Sequence, residues 1–163
     1  MDVTLIKIKT LIYDKCKLKV ENYILENESQ EYKAMRYTIN NYNIVSRNSK
    51  LTPKKNGQFV TFWKRKNNGP IEPFHEFEDK ISYFIVNVKY ENKSGVFFFP
   101  KSILVEKRII STNNKEGKRA FRVYPNWDKP NSKQAIKSKK WQLNYFFEIK
   151  EGLDLRKIQE MFI

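Results

Sequence analysis

The chain has 163 residues, of which 40% are hydrophobic, and its formal net charge is +14. That length suits one domain with a buried core and is short for two, so we predict a single domain over residues 1–163. No apolar run is long enough for a transmembrane helix, and the first residues lack the apolar core of a secretion signal. We therefore expect a cytoplasmic protein without a membrane partner.

Several kinds of active site are disfavoured by the residue inventory. The chain has one cysteine, Cys16, and one histidine, His75. A lone cysteine forms no internal disulfide, and this pair is too small for a zinc site of the usual kind. The five glycines form no phosphate-binding loop, and a proton-relaying triad would depend on His75, in an acidic stretch. We expect no metal and no cofactor.

The positive charge is concentrated in two segments. Lys50 to Lys66 contains six bases and no acid, and Gly117 to Trp141 contains eight bases and one acid, Asp128. Together these segments supply +13 of the +14. Such segregation indicates a basic face and a polyanionic partner.

Residue periodicity predicts helices and strands in the first half of the chain. Leu5 to Leu18 has helical spacing, and a second, weaker helical stretch precedes Glu31. The pair Asn40-Asn41 suits a tight turn because asparagine tolerates positive φ. We interpret three strands as an antiparallel meander: Met35–Ile39, Tyr42–Arg47 and Gln58–Lys64.

The second half predicts further strands and two closing helices. Ser132 is a candidate N-cap for a helix that runs to about Ile149, with Ile136, Leu143 and Phe147 facing the core. A last helix covers Leu153 to Phe162, and Pro100 starts a short helical turn. The predicted strands are Ile81–Tyr90, Val96–Phe99, Leu104–Ser111 and Lys118–Tyr124. The fold class is α+β or α/β, with a single mixed sheet flanked by helices.

Five segments carry a family resemblance: LTPKKNGQFVTFWKR, GPIEPF, VFFFPKSIL, GKRAFRVYPNWDKPNSKQA and KWQLNYFFEI. In order and spacing they resemble the MepB family, a bacterial family named for a gene beside a multidrug-efflux transporter, from about Glu31 to Ile149. The resemblance implies a restriction-endonuclease-like fold, similar to that of PD-(D/E)XK enzymes, and a link to drug response.

The catalytic acids of that nuclease fold are missing from their expected place. Such enzymes hold Mg²⁺ with an acid on one strand and a D/E-x-K pair on the next. The equivalent strands fall between Tyr32 and Gly69, where there is no Asp or Glu. We therefore predict a protein that is not an enzyme. The alternative is a divalent-metal-dependent nuclease with displaced acids, Glu31 with Glu116 or Asp128.

Both basic segments also contain aromatic residues, as proteins that bind single strands do. We expect binding of RNA or single-stranded DNA rather than duplex, with Trp127 as the best exposed aromatic and Trp141 mostly packed. A further alternative is a basic protein-interaction module. The candidate binding residues are Lys54, Lys55, Lys64, Arg65, Lys66, Lys118, Arg119, Arg122, Trp127, Lys129, Lys133, Lys137, Lys140 and Trp141.

Spacing within the second segment predicts how its bases are arranged. Arg119 and Arg122 are three apart on a strand, so they should point to opposite sides of the sheet. One should face the ligand, and the other should pair with an acid such as Glu148 or Asp128. Helical spacing places Lys133, Lys137 and Lys140 on one face, and we expect this face to extend the binding patch.

Overall fold

The computed structural model describes all residues, Met1 to Ile163. The α-helices are α1 (Val3–Ile8), α2 (Lys101–Glu106), α3 (Lys133–Gln142) and α4 (Arg156–Met161). The strands are β1 (Val20–Leu25), β2 (Met35–Ile39), β3 (Tyr42–Asn48), β4 (Lys50–Leu51), β5 (Gln58–Thr61), β6 (Trp63–Arg65), β7 (Ile71–Pro73), β8 (Tyr83–Tyr90), β9 (Lys93–Pro100), β10 (Ala120–Val123) and β11 (Phe146–Glu148). No helix has the length and apolar character needed to cross a bilayer.

A mixed six-stranded sheet, in the order β1-β2-β3-β8-β9-β11, organises the chain. Only the β3–β8 pair is parallel. The predicted hairpin of β2 and β3 is confirmed, and its turn has Asn40 and Asn41 at φ 46° and 72°. The β8–β9 hairpin continues from Tyr83 opposite Pro100 to Tyr90 opposite Lys93. This sheet confirms the predicted mixed α+β class.

Side-chain alternation divides the core into two layers. Ile44 on β3 and Phe98 on β9 face α1 and the C-terminal segment, where Ile8 of α1 and Phe162, which follows α4, belong to the same buried cluster. Val45, next along β3, faces a second cluster on the opposite side of the sheet. The sheet is therefore covered on both faces, by helices on one side and by β5, α2 and neighbouring segments on the other.

The predicted third strand of the meander, Gln58–Lys64, is wrong in its pairing. It divides into β5, which lies in a separate sheet of order β10-β5-β4, and β6, which pairs with β7. Phe62 separates the two strands, and its buried ring stacks on Phe84 of the main sheet with 4.1 Å between centroids. The edge of β3 that does not pair with β2 pairs with β8, so no edge of β3 is left for a further strand. The chain after β3 therefore crosses over the main sheet instead of extending it.

The buried Arg47 links these layers. It lies on β3, has no exposed surface, and donates to Thr61 Oγ1 at 3.1 Å and to the Trp63 carbonyl at 2.8 Å. Burial lowers the pKa of Arg47 to about 10, and the nearby Glu26 carboxylate opposes that shift. A buried cation of this kind holds β5 and β6 in place on the main sheet.

Two helix predictions in the N-terminal region need correction. The helix predicted over Leu5–Leu18 begins at Val3, with Asp2 as its N-cap, and its second half is a π-helix over Lys9–Tyr13. The helical stretch predicted before Glu31 is wrong, because β1 lies there and only a 3₁₀ turn, Gln30–Tyr32, follows. This segment forms β1 because it pairs with the outer edge of β2. Its weak helical periodicity gives no sign of that pairing.

The predicted strand Leu104–Ser111 is wrong as well. Its first residues lie in α2, where Pro100 is the N-cap, as predicted. Arg108, at φ 58°, reverses the chain so that the Ile109 amide bonds back to the Leu104 carbonyl at 2.9 Å. Short apolar runs fit a buried helix turn and a strand equally well, and here tertiary contacts select the helix.

The C-terminal helices are shorter than predicted. Ser132 caps α3 as predicted, since its hydroxyl accepts a bond from the Ala135 amide at 3.1 Å. The helix ends at Gln142 rather than near Ile149, and β11 follows, paired with the open edge of β9. Ile136, a predicted core residue, is 51% exposed. The last helix covers Arg156–Met161 within the predicted range.

Candidate functional site

A buried glutamine fixes α3 against β10. The Gln142 side chain is 1% exposed, and its Nε2 donates to the Arg122 carbonyl at 2.9 Å. Its Oε1 accepts from the Tyr124 amide at 2.8 Å. Since β10 is an edge strand of the second sheet, these bonds satisfy backbone groups that would otherwise lack partners.

The loop from 52 to 57 lies opposite α3 and β10. Gly57 has φ +79°, and an added Cβ would lie 2.5 Å from the Tyr124 ring, so only glycine allows this approach. Arg122 reaches the loop from β10 and donates to Thr52 Oγ1 at 2.6 Å and to the Asn56 carbonyl at 3.2 Å. These contacts hold the Arg122 side chain in place before any ligand arrives.

Between α3, β10 and this loop runs a surface groove, here called the α3–β10 groove. It consists of two depressions of about 400 and 360 Å³ that share Arg122, Tyr124, Ser132 and Ala135 in their walls. No acid lines either depression. Its cationic lining residues are Lys54, Lys55, Lys107, Lys118 and Arg122.

Arg122 is the central cation of the groove. It lines both depressions and forms no ion pair with an acid. A guanidinium has five N–H donors. Three bonds, to Thr52, Asn56 and Gly57, leave at least two donors for a ligand. Arg119 points elsewhere and pairs with Glu116 at 2.9 Å, rather than with either of the acids we expected.

The aromatic lining differs from expectation at Trp127. Trp141 is half-buried, lies 5.6 Å from the Phe99 ring and lines the groove, so it packs its ring as predicted. Trp127 is half-buried against Phe146 with a centroid distance of 5.8 Å, and its indole nitrogen is buried without a partner. The expected exposed aromatic is therefore part of the packing, and it does not line the groove.

The lysines predicted on α3 face away from the groove. Gln134, Ala135, Ser138 and Trp141 line it. At about 100° per residue, Lys133, Lys137 and Lys140 fall on the opposite side of the helix, where all three are exposed. Lys129 is also exposed and outside the lining. The predicted shared face of the three lysines exists, but it does not extend the groove.

The bases at the end of the first segment are neutralised. The Lys64 side chain is 10% exposed and lies 2.5 Å from Asp79 and 3.5 Å from Glu72. Lys66 lies 3.1 Å from Glu78, and their hydrogen bond lowers the pKa of Glu78 and raises that of Lys66. Arg65 contacts Glu28 at 3.4 Å. The predicted binding residues Lys64, Arg65 and Lys66 therefore lie outside the groove lining and beside acids: β6 pairs with β7, which brings the acidic stretch against the two lysines, and Glu28 lies against Arg65.

Sequence reasoning missed Lys107. This residue lies outside both acid-poor segments and directly after Glu106, with which it forms an exposed contact of 3.7 Å. Its Nζ lies 5.5 Å from the centre of the Trp141 ring. Counting charges along the chain passes over such a residue, because only the packing of α2 beside α3 brings it to the groove.

None of the acids considered for a displaced metal centre lines the groove. Glu31 is 3.3 Å from Lys50, Glu116 pairs with Arg119, and Asp128 is half-buried with Oδ2 lacking a partner. Burial raises the pKa of Asp128, while Lys139 opposes the shift. No group of three or more His, Cys, Asp or Glu side chains is arranged to hold a metal ion.

The fold and the groove define a basic α+β protein with a preformed, acid-free surface groove. The chain belongs to the MepB-like family, whose model matches residues 26–148. It is also similar to a crystal structure of MepB, with 34% sequence identity and a TM-score of 0.79. That match covers 93% of this chain and 99% of the other. The comparison with curated proteins gives no match.

Proposed function

We propose that the chain binds single-stranded nucleic acid, RNA or single-stranded DNA, in the α3–β10 groove in the cytoplasm, and does not cleave it. The observation that carries this proposal is the groove lining, with five cations and no acid. Lysine and arginine contacts to phosphates provide most of the affinity of such complexes. A family-wide link to drug response, implied by the resemblance to MepB, belongs to the same proposal.

The groove suits a single strand better than a duplex. Arg122, held by the loop from 52 to 57, can fix a phosphate, since its planar fork matches phosphate geometry. The half-buried Trp141 and the polar side chains of α3 supply an amphipathic wall for an unstacked base. The face of α3 that lines the groove is held against β10 by Gln142, so within the groove this helix can serve as a wall and not as a recognition helix inserted into a major groove.

Binding without cleavage is favoured by the positions of the acids. Metal-assisted phosphodiester hydrolysis needs carboxylates next to the scissile phosphate. Glu31 and Glu116 form ion pairs with bases, and neither they nor Asp128 line the groove. The expected kinship with PD-(D/E)XK endonucleases stays a prediction from the resemblance.

A titration against matched RNA, single-stranded DNA and duplex DNA tests the proposal. With three to five phosphate contacts, we expect a log–log salt slope between about −2 and −3.5 on single strands, and weaker binding to duplex. A flat salt dependence would contradict phosphate neutralisation. Parallel incubation with Mg²⁺ or Mn²⁺ should leave the strands intact, and scission abolished by Glu31→Gln would instead establish the nuclease alternative. Binding of an acidic peptide but of no strand would favour the protein-interaction alternative.

A further inference from the structure

The sheet face that packs against α1 changes from apolar to polar at one end. Ile44, Ile85 and Val96 are buried on this face. The strands then continue with polar residues, while α1 still lies above them. Strand alternation and register bring these residues together, since Asn48 lies beside Asn87, and Asn87 beside Val96. The polar positions are Ser46 and Asn48 on β3, Asn87 and Lys89 on β8, and Ser94 on β9.

A cavity of about 320 Å³ opens at this polar end, between α1 and the sheet. Its volume is in the range of small-molecule sites. Val3, Ile8 and Ile149 provide apolar wall, and Thr4 and Lys7 of α1 face the polar strand residues. No acid lines it, and it shares no lining residue with the α3–β10 groove.

A hydrogen-bonded chain in the cavity wall leaves one acceptor unused. Asn87 Nδ2 donates to Asn48 Oδ1 at 3.0 Å, and Asn48 Nδ2 donates to Thr4 Oγ1 at 3.3 Å. Asn87 Oδ1 has no partner, although this side chain is only 7% exposed. Buried polar atoms are almost always hydrogen-bonded, so this oxygen is an acceptor available to an N–H or O–H group of a ligand.

Two lysines at the cavity are free of acids. Lys7 Nζ donates to Ser94 Oγ at 2.9 Å, and Lys89 is exposed. Neither forms an ion pair, in contrast to Lys9, two residues after Lys7, which lies 2.9 Å from Asp14. Two unneutralised ammonium groups beside a partly apolar cavity favour a ligand with one anionic group and a flat apolar body.

We propose that this cavity is a second ligand site, which binds a nucleoside monophosphate. The ring lies between the apolar residues of α1 and Ile149, an N–H of the base edge donates to Asn87 Oδ1, and Lys7 and Lys89 hold the phosphate. The 5′-terminal nucleotide of a strand presents the same chemistry, so the two sources are compared directly.

Calorimetric titrations test the site with the four ribonucleoside monophosphates, ribose 5-phosphate, inorganic phosphate and a 5′-phosphorylated oligonucleotide. At least one mononucleotide should bind more tightly than ribose 5-phosphate. The Lys7→Gln/Lys89→Gln variant should bind it at least about tenfold more weakly, since charge-assisted bonds are lost. Lys93→Gln is the matched control, because Lys93 lies next to Ser94 on β9 with its side chain on the opposite face. It should change affinity less than about twofold.

Asn87→Leu removes the amide at similar volume and should reduce nucleotide binding to the level of ribose 5-phosphate. Should that variant fail to fold, the exposed lysine variants still decide. Binding of the phosphorylated strand alone, weakened by the lysine variant, would assign the site to a strand end. The proposal is overturned if, at ligand concentrations up to about 5 mM, the lysine variant does not weaken the binding of any nucleotide or strand end. Binding that requires more ligand than this is too weak for a specific site. Equal binding of inorganic phosphate, or loss of nucleotide binding in Arg122→Gln, would also overturn it.

Discussion

Two basic regions of this molecule share a scarcity of acids in the sequence and differ in their surroundings in the folded structure. Around β6, Lys64 and Lys66 lie within 4 Å of Glu72 and Glu78. In the α3–β10 groove, Lys54, Lys55 and Arg122 have no such acid. All of these bases come from segments that are almost free of acids along the chain, but only Lys54, Lys55 and Arg122 form no ion pair in the folded structure.

The difference shows that the net charge of a segment in the sequence does not determine which charged groups surround it in the folded structure. The acidic residues that neutralise β6 follow it closely in sequence and reach it because β7 pairs with β6. The loop from 52 to 57 instead faces β10 and α3, whose groove-lining residues include no acid. The groove is therefore expected to bind a polyanion, and the β6 region is expected to contribute stability.

The largest expected effect is on Arg122. Arg122→Gln removes the central cation and should weaken binding of a single-stranded RNA by about 10- to 100-fold, the value of a charge-assisted hydrogen bond of about 1.5–3 kcal/mol. Fluorescence anisotropy at low salt measures this. Arg119→Gln is the matched control, because Arg119 is already paired with Glu116, and it should change affinity less than about twofold. Equal losses in both variants would show that the groove is misplaced.

The next effect concerns stability at β6. Lys64→Ala leaves the Asp79 carboxylate, 13% exposed, without its cation. We expect a loss of about 2–3 kcal/mol, less than for a fully buried pair because Glu72 and Glu78 are partly hydrated, and a fall in Tm of about 4–10 °C. Thermal unfolding followed by circular dichroism measures it. Lys66→Ala, in the same acidic cluster but exposed, should change Tm little, and an equal fall there would contradict the burial argument.

A pair of double variants compares the two regions at equal charge. Lys54→Gln/Lys55→Gln and Arg65→Gln/Lys66→Gln each remove two positive charges. The first should weaken strand binding about fivefold and make the salt slope shallower by up to about 1.4, because each lost phosphate contact is worth about 0.7. The second should leave both quantities nearly unchanged. If the two variants behave alike, net charge rather than the groove determines binding.

The smallest effect is on Asp128. Burial raises its pKa above the ordinary 3.8, so the ionised carboxylate opposes folding, and this cost is fully present only above the raised pKa. Asp128→Asn removes it and should raise Tm near pH 7 on the order of 1 °C. The difference should vanish as the pH falls below the unfolded value, where both side chains are neutral. A Tm difference that is independent of pH would contradict this explanation.

Local signals in the sequence identified much of the fold. The β2–β3 hairpin follows from alternation and from turn residues that accept positive φ, such as Asn41 at 72°. The Ser132 cap depends on contacts within one helical turn. Strand partners were harder to predict, because the pairing of β3 with β8 joins distant segments. The end of the predicted helix forms β11 instead, because this segment pairs with an open edge of β9. No local pattern in the sequence indicates that this edge is open.

The candidate site was predicted in part. Lys54, Lys55, Lys118, Arg122 and Trp141 do line the groove, as their place in acid-poor segments suggested. Lys107 was missed, and the three predicted lysines of α3 lie outside the groove lining, because the side of a helix that faces a groove depends on what packs against it. On α3, the neutral side chain of Gln142 forms two bonds to backbone groups of Arg122 and Tyr124, and these bonds orient the helix relative to the groove.

The sequence alone determined the composition of this protein's surface chemistry. It specifies an excess of bases and a stretch from Tyr32 to Gly69 without acids, and its turns and caps define most elements. The tertiary structure decided which bases stay unpaired and which polar residues meet beneath α1. The physical reason is range: caps and turns form between residues a few positions apart, whereas ion pairs and cavities depend on strands brought together from distant parts of the chain.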